Sequence, residues 1–185
     1  MRILLVAAAG LAVAATTAGT AQAFETVLGG LAGACSSEAK QAVNVSHILD
    51  LCTQALDRET LPVRDRAGTF VNRGSMYLLM RSWELAHDDF QSALRLWPKL
   101  GEAHVGEGAY LLTQGRFDES EQETQRGLDL GTEEPEKAYY IRGMARWGED
   151  DFGGAYADFH KALELKPTWD LPRQQLTHFS VKPAG

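Results

Sequence analysis

Three glycines spaced almost evenly along the chain mark a repeating unit. Gly74, Gly108 and Gly143 are 34 and 35 residues apart, and the same kinds of residue recur at fixed distances from each of them. The recurring columns are Phe70, His104 and Tyr139; Trp83, Phe117 and Phe152; Ala86, Ser120 and Ala155; Phe90, Thr124 and Phe159; Ala93, Gly127 and Ala162; Leu94, Leu128 and Leu163; and Leu96, Leu130 and Leu165. A period of roughly 20–50 residues is typical of proteins in which each unit buries its apolar face only against its neighbours. The chain is therefore expected to fold as a stack of similar units.

Helical spacing of the apolar residues predicts two helices in each unit. The predicted pairs are 67–80 with 83–96, 101–114 with 117–130, and 136–148 with 152–165. Pro98 and Pro167 are expected to end the second helices of the first and third units, because a proline ring cannot continue the hydrogen-bond ladder. Gly115 and Gly148 are predicted to form the tight turns between paired helices, with φ above zero.

This unit resembles the tetratricopeptide repeat (TPR), which has 34 residues and carries an aromatic residue, a glycine and then Ala, Phe, Ala and Pro in order. The resemblance covers 67–100, 101–134 and 136–169. The second unit departs from the pattern, with Thr124 in place of the aromatic residue, Gly127 in place of alanine and Thr132 in place of proline. The resemblance implies an all-α fold, a short right-handed superhelical solenoid of three helix pairs with capping helices at both ends.

Both ends of the stack need a cover, and the flanking sequence provides candidates. Within the N-terminal segment 24–66, Ser46 is predicted to cap a helix that runs to about Leu56 and imitates the second helix of a repeat. Within 170–185, an amphipathic helix from Asp170 to Phe179 is expected to turn Leu171, Leu176 and Phe179 toward the stack. Residues 24–34 and 181–185 contain glycine or proline and are expected to be loose.

The first 23 residues have the pattern of a secretory signal peptide. Met1 and Arg2 open a positive region, 3–15 is apolar, and 21–23 reads Ala-Gln-Ala, so cleavage is predicted after Ala23. A membrane anchor is one alternative, although 13 apolar residues are fewer than the roughly 20 that span a bilayer. A lipid on Cys35 is another, because the preceding residues resemble a lipoprotein box, but Cys35 lies far past the apolar run. Export predicts a periplasmic or secreted bacterial protein with a mature charge of -8.

Cys35 and Cys52 are the only cysteines in the chain. Disulfides persist in the oxidising compartments that exported proteins reach, so the pair is predicted to form a bridge that staples the N-terminal cover. Two free buried thiols are the alternative. A redox-active pair is disfavoured, because such pairs use a C-x-x-C spacing.

No pattern in the sequence predicts an enzyme, a metal site or a cofactor. Asp151-Phe152-Gly153 matches a kinase triplet, but none of the other kinase motifs accompanies it. The adjacent acids Asp88-Asp89 and Asp150-Asp151 are interpreted as solvated surface. The net charge of -7 makes nucleic acid an unfavourable partner, and no stable membrane insertion is expected after the signal is cleaved.

Function is therefore expected to lie in a surface. In TPR proteins the first helix of each unit lines a groove that holds a peptide or a partner helix. By resemblance, the groove positions are Asn72, Ser75, Leu79, Val105, Ala109, Lys137, Tyr140, Met144 and Trp147. Asn72 matches a position at which the family uses an amide to hold a peptide backbone. Tyr140, Met144 and Trp147 suit an apolar segment, or alternatively pack under the C-terminal helix. Another column, with Arg73, Glu107 and Arg142, is expected to form an exposed ladder of charges.

The predicted function is an exported protein-interaction module whose partner is a protein or peptide bound in the groove. The alternative is a structural subunit of the cell envelope, which would act through self-association or cell-wall contacts made by its convex face.

Overall fold

The computed structural model describes residues 30–179, and all regular structure in this range is helical. The helices are α1 (Gly30–Ala39), α2 (Val45–Arg58), α3 (Val63–Leu79), α4 (Trp83–Leu96), α5 (Gly101–Thr113), α6 (Phe117–Asp129), α7 (Pro135–Gly148), α8 (Phe152–Leu165) and α9 (Asp170–Leu176). None of these helices is both long and apolar enough to cross a membrane. The predicted signal peptide and the tail 181–185 lie outside the described residues.

The helices pack in sequence order, as the predicted stack requires. The tightest packing joins α3 with α4, α5 with α6 and α7 with α8, and each pair also contacts the next. α4 and α8 have the predicted bounds. α3 begins four residues earlier than predicted, because the Pro62 carbonyl accepts the first helical hydrogen bond, from Arg66 N at 2.9 Å. The all-α helical-repeat fold is therefore confirmed.

Phe90 explains why glycine recurs on the facing helices. Its buried ring is held between α3 and α5, and a Cβ added at Gly74 would lie 2.8 Å from it. A Cβ at Gly106, on the next unit, would approach the same ring even more closely. Phe159 has the same relation to Gly143, also at 2.8 Å. The aromatic and glycine columns are thus two halves of one contact.

The second unit replaces this aromatic contact with close packing of small residues. Thr124 stands in the aromatic column, and a Cβ at Gly108 would lie 2.7 Å from its Cγ2. Ser120 Oγ donates a buried hydrogen bond of 2.7 Å to the Gly108 carbonyl. A Cβ at Gly127 would lie 2.5 Å from Val105 Cγ2. The second unit therefore keeps the helix pair by bringing the two backbones together.

The tight turns within the three units all contain one residue with φ above zero. These residues are Arg81 (φ 59), Gly115 (φ 70) and Asp150 (φ 62), spaced as the repeat is spaced. The prediction for Gly115 is confirmed. The prediction for Gly148 is wrong, because Gly148 is the last residue of α7 and Asp150 takes the left-handed conformation. Glycine at 148 instead leaves room for the Phe117 ring, which would lie 2.7 Å from a Cβ there.

The expected exposed ladder of charges is instead a set of inward-facing ion pairs. Arg142 donates to both oxygens of Asp158, at 2.8 and 2.6 Å, and Arg73 donates to both oxygens of Asp89, at 2.8 Å each. Asp89 is only 4 % exposed, so the interpretation of Asp88-Asp89 as solvated surface holds for Asp88 alone. The hydrogen bonds to these aspartates raise the pKa of both arginines, which keeps them charged.

The C-terminal cover is shorter than predicted and is turned differently. α9 ends at Leu176 rather than Phe179. Leu171 is 44 % exposed, so the expectation that it faces the stack is wrong, whereas Pro172 is fully buried in its place. α9 is therefore turned about its own axis, so that the position after the predicted one faces the stack.

Candidate functional site

A groove of about 1860 Å³ crosses α1, α3, α5 and α7. The residues that line it include six of the nine predicted groove positions, namely Asn72, Ser75, Leu79, Val105, Ala109 and Lys137. They come together because α3, α5 and α7 are the first helices of consecutive units and present equivalent faces.

α3 provides one continuous stripe of the groove. Gly68, Asn72, Ser75 and Leu79 follow at spacings of four, three and four residues, so they share one helical face. Ser75 Oγ donates to the Val71 carbonyl of its own helix at 2.9 Å. The amide of Asn72 makes no hydrogen bond within residues 30–179 and is partly exposed. Leu79 is 59 % exposed at the end of the stripe. The stripe thus offers an unpaired amide beside an accessible apolar side chain.

The floor of the groove continues on α5 and α7. Val105 is mostly buried and Ala109 partly so, and both are small enough to leave the space above them open. Ile141 adds a third apolar side chain from α7. Lys137 extends its Nζ to the Glu134 carboxylate at 2.7 Å, so its charge is already paired. This part of the groove is therefore apolar at its base and charged at its edge.

The first wall of the groove is α1, which was expected to be loose over residues 30–34. Glu59, at the end of α2, accepts hydrogen bonds from Leu31 N at 2.6 Å and Ala32 N at 3.0 Å. These two amides belong to the first turn of α1, where helical partners are missing, so the carboxylate acts as a cap. No sequence pattern marks this contact, because its two sides are 27 and 28 residues apart.

A disulfide fixes the same helix from its other side. Cys35 of α1 and Cys52 of α2 are bridged, with a Cα–Cα distance of 5.0 Å, which confirms the predicted pairing. Both are fully buried beside Ile48 and Met76, and α1 also packs against α3. α2 begins two residues before its predicted start, and its cap is Asn44 rather than Ser46, since Asn44 Oδ1 accepts from His47 N at 3.2 Å.

The aromatic end predicted for the third unit does not line the groove. Tyr140 lies 5.1 Å from Trp169 between ring centroids, and Trp147 lies 5.0 Å from Phe179. The C-terminal segment therefore covers both rings, which is the alternative considered for them. Burial raises the pKa of the Tyr140 hydroxyl. Met144 is partly buried on the same helix and is also outside the groove lining.

Charge is divided unequally along the groove. The α1–α3 side carries Lys40, Arg58 and Arg64 with Glu59 and Asp65, whereas the α5–α7 side carries Glu102, Glu133, Glu134 and Glu136 with Lys137. Glu59 is occupied by the cap of α1, and Glu102 accepts from Glu133 N at 2.6 Å. The α5–α7 side is therefore acidic, and the α1–α3 side is weakly basic.

A second, smaller cleft of about 470 Å³ lies between α4, α5 and α6. His87 Nδ1 lies 3.0 Å from Glu107 Oε2, and His104 Nδ1 lies 2.7 Å from Glu123 Oε2. The His87 ring also stacks on Tyr110 with a centroid distance of 4.4 Å. Within the described range 30–179, no group of three or more His, Cys, Asp or Glu side chains is placed to hold a metal ion. The cleft is thus lined by side chains that already bind one another.

Comparison with known proteins shows the fold. No family model and no curated protein matches the sequence. The TPR domain of Arabidopsis OM64 matches 63 % of this chain and 96 % of its own, at 21 % identity and a TM-score of 0.57. The type IV pilus biogenesis factor PilW matches 87 % of this chain and 69 % of its own, at 20 % identity and a TM-score of 0.64. The first TPR of Spaghetti, solved with the HSP90 peptide SRMEEVD, matches 62 % of this chain and 90 % of its own, at 20 % identity and a TM-score of 0.56. The chain therefore has a TPR-like fold.

Proposed function

We propose that this protein is an exported, non-enzymatic binding module that holds a peptide or a partner helix in the groove formed by α1, α3, α5 and α7. The observation that carries the proposal is the Asn72 amide, which has no hydrogen-bond partner within residues 30–179 and lies on an open helical stripe next to the apolar floor at Val105 and Ile141. An amide both donates and accepts hydrogen bonds, so it can pair with main-chain groups of a partner.

The size of the groove favours a protein segment over a small molecule. Small-molecule pockets usually enclose about 300–1,000 Å³ and bury most of the ligand surface. This groove is larger, at about 1860 Å³, and is partly open to solvent. The peptide bound to the first TPR of Spaghetti supports the same mode of use for this fold.

Export is supported by two features of the chain. The N-terminal residues have the order of charge, apolar run and small residues that a signal peptidase requires. The disulfide between Cys35 and Cys52 suits an oxidising compartment such as the bacterial periplasm. Mass spectrometry of the exported protein tests this part: cleavage after Ala23 and no lipid on Cys35 are expected, and an intact N-terminus would contradict it.

The groove assignment is tested with a photoreactive amino acid placed at one of two leucines in living cells. Leu79 lies in the groove and is 59 % exposed, whereas Leu85 lies on α4 outside it and is 50 % exposed. We expect covalent adducts with another protein from position 79 and few from position 85. Adducts from position 85 alone would contradict the proposal. Adducts of the chain with itself from position 85 would favour a structural, self-associating subunit instead.

A further inference from the structure

Gly68 is a glycine for which the folded chain shows no need. It lies in the middle of α3, where glycine destabilises a helix relative to alanine. Apart from the local backbone of α3 itself, a Cβ built at Gly68 has no atom of residues 30–179 within 4 Å, whereas one at Gly74 on the same helix would collide with Phe90. The other open glycines, Gly115 and Gly131, have φ of 70° and 77° and lie at turns. Gly68 has neither a close neighbour nor a left-handed backbone.

The position of Gly68 indicates what the missing side chain leaves room for. It lines the groove, one helical turn after Arg64 and one turn before Asn72. Because no side chain or neighbouring helix within residues 30–179 covers Gly68, the backbone of α3 is accessible there to whatever lies in the groove. Glycine in a regular element often marks a close approach of a ligand or of another backbone. The unpaired Asn72 amide lies where it can hydrogen-bond such a backbone.

These two residues favour an extended partner over a helical one. The main-chain groups of a helix are already paired with one another, so a helical partner presents side chains to a groove. An extended segment keeps free N–H and C=O groups, which an amide can bind. It also has a narrow profile, which can approach a helix that lacks a Cβ.

The unequal charge of the groove indicates the side chains of this partner. Four carboxylates lie on the α5–α7 side; Glu134 is paired with Lys137 and Glu136 with Lys166, which leaves Glu102 and Glu133 as the carboxylates without an ion pair in the described part of the chain. Glu133 is exposed, and its side chain makes no ion pair within residues 30–179. A partner with basic side chains on this side would gain attraction, and an acidic one such as SRMEEVD would be repelled.

We propose, on the basis of the groove-binding function above, that the occupant is an extended apolar segment with lysine or arginine side chains, whose main chain crosses α3 at Gly68 and Asn72. Its basic side chains lie toward Glu102 and Glu133, and its apolar side chains lie over Val105 and Ile141.

The test uses a displayed library of random dodecapeptides, selected on the purified, oxidised full chain. The enriched peptides are then labelled, and their affinities are measured by fluorescence anisotropy. Gly68→Leu is expected to lower affinity about tenfold and Glu133→Lys about fivefold, with the second effect fading at high salt. The matched controls are Gly153→Ala on α8 and Glu84→Lys on α4, both outside the groove, and they are expected to change affinity less than about twofold.

A second variant protects the test against a folding defect. Gly68→Ala fills open space in a helix, so its melting temperature is expected to rise by about 3 °C while its affinity for the peptides falls. Greater stability with weaker binding cannot result from misfolding. Unchanged affinity in both Gly68 variants would overturn the proposal.

The outcomes separate this proposal from the one on which it rests. Enriched peptides that combine apolar and basic residues and that depend on Gly68 support both. Enriched peptides that are acidic or uncharged, and that still lose binding in Gly68→Leu, overturn the partner chemistry but leave a peptide-binding groove. Enrichment of no peptide, or of peptides that bind all groove variants equally, overturns both.

Discussion

Loss of the Cys35–Cys52 bridge is expected to weaken the first wall of the groove by an amount that the loop length sets. The bridged residues are 17 positions apart. On the chain-entropy model, a loop of about 17 residues contributes about 3 kcal/mol to the free energy of unfolding. Comparing the oxidised and reduced forms of the same chain isolates this contribution, because both keep the same side-chain volumes at the buried positions.

The measurement is urea unfolding followed by circular dichroism. With a slope of about 2 kcal/mol/M, a loss of about 3 kcal/mol lowers the midpoint at which the N-terminal part of the stack unfolds by about 1.5 M in the reduced protein, while the midpoint of the C-terminal part is unchanged. The double variant Cys35→Ala with Cys52→Ala should behave like the reduced protein, with a further loss from the volume removed at two buried positions.

The effect is expected to stay local, because helices in a solenoid contact only their neighbours. Amides of α1 and α2 should exchange faster in the reduced protein, while those of α7 and α8 keep their protection. Peptide affinity should also fall, since α1 forms one side of the groove. A midpoint shift below about 0.3 M, or an equal loss of protection in α8, would refute this account of the disulfide.

Four further substitutions test three separate parts of the structure. Arg81→Gly should raise the free energy of unfolding by about 1 kcal/mol, and Gly115→Ala should lower it by a similar amount, because both positions have φ above zero. Melting temperatures equal to that of the unchanged protein would contradict this. Asp158→Ala should lower the free energy of unfolding by about 3–5 kcal/mol, because it removes the carboxylate that Arg142 and Arg146 share and leaves the buried Arg142 guanidinium with the neutral Gln125 amide. A loss below about 1 kcal/mol in urea unfolding would show that solvent reaches that charge. A hydrogen bond shared with the Asp118 carboxyl raises the pKa of Glu149, and burial and nearby carboxylates add to the shift. That pair therefore stabilises the fold in acid, and this stabilisation is lost as the pH rises through the pKa of Glu149 in the folded protein. Glu149→Gln should accordingly stabilise the protein by about 0.3 kcal/mol at neutral pH and not in acid. A stability difference that stays constant across this pH range would contradict the predicted direction of the pH dependence.

The sequence predicted the repeating core well, because each column of the pattern is one physical contact. Gly74 and Phe90 occupy the same space from two helices, so neither can change without the other, and their spacing in the sequence reports the packing directly. The same holds for Gly143 and Phe159. The groove positions on α3 and α5 were predicted from the resemblance to the tetratricopeptide repeat, and those residues line the groove.

Contacts without a period could not be predicted in the same way. The first turn of α1 is capped by Glu59, which no local pattern connects to it. Trp147 meets Phe152 and Phe159 of its own unit, at ring-centroid distances of 6.4 and 6.1 Å, but its contact with Phe179 forms only because the chain returns to that side of the helix. Adjacent acids on a helix point in different directions, so Asp88 is exposed while Asp89 is buried. The sequence alone does not indicate which of the two is buried.

The second unit shows that the interior carboxylates of the stack find hydrogen-bond partners in two ways. The first and third units pair an arginine before the glycine with an aspartate of their own second helix. The second unit has Glu107 and Glu123 at the corresponding positions, where two carboxylates would repel each other.

Each of these glutamates instead takes a histidine as its partner. His104 lies on the same helix pair as Glu123, but His87 reaches Glu107 from α4, across the boundary between the first two units. Phe90 crosses the same boundary, because its ring is held by glycines of both α3 and α5. The first and second units are therefore joined by a polar and an apolar contact that start from one helix. Because neither unit can complete its interior without α4, we expect the first and second units to unfold together. The groove stripe of α3 and the groove floor on α5 should therefore keep their relative positions until both units unfold.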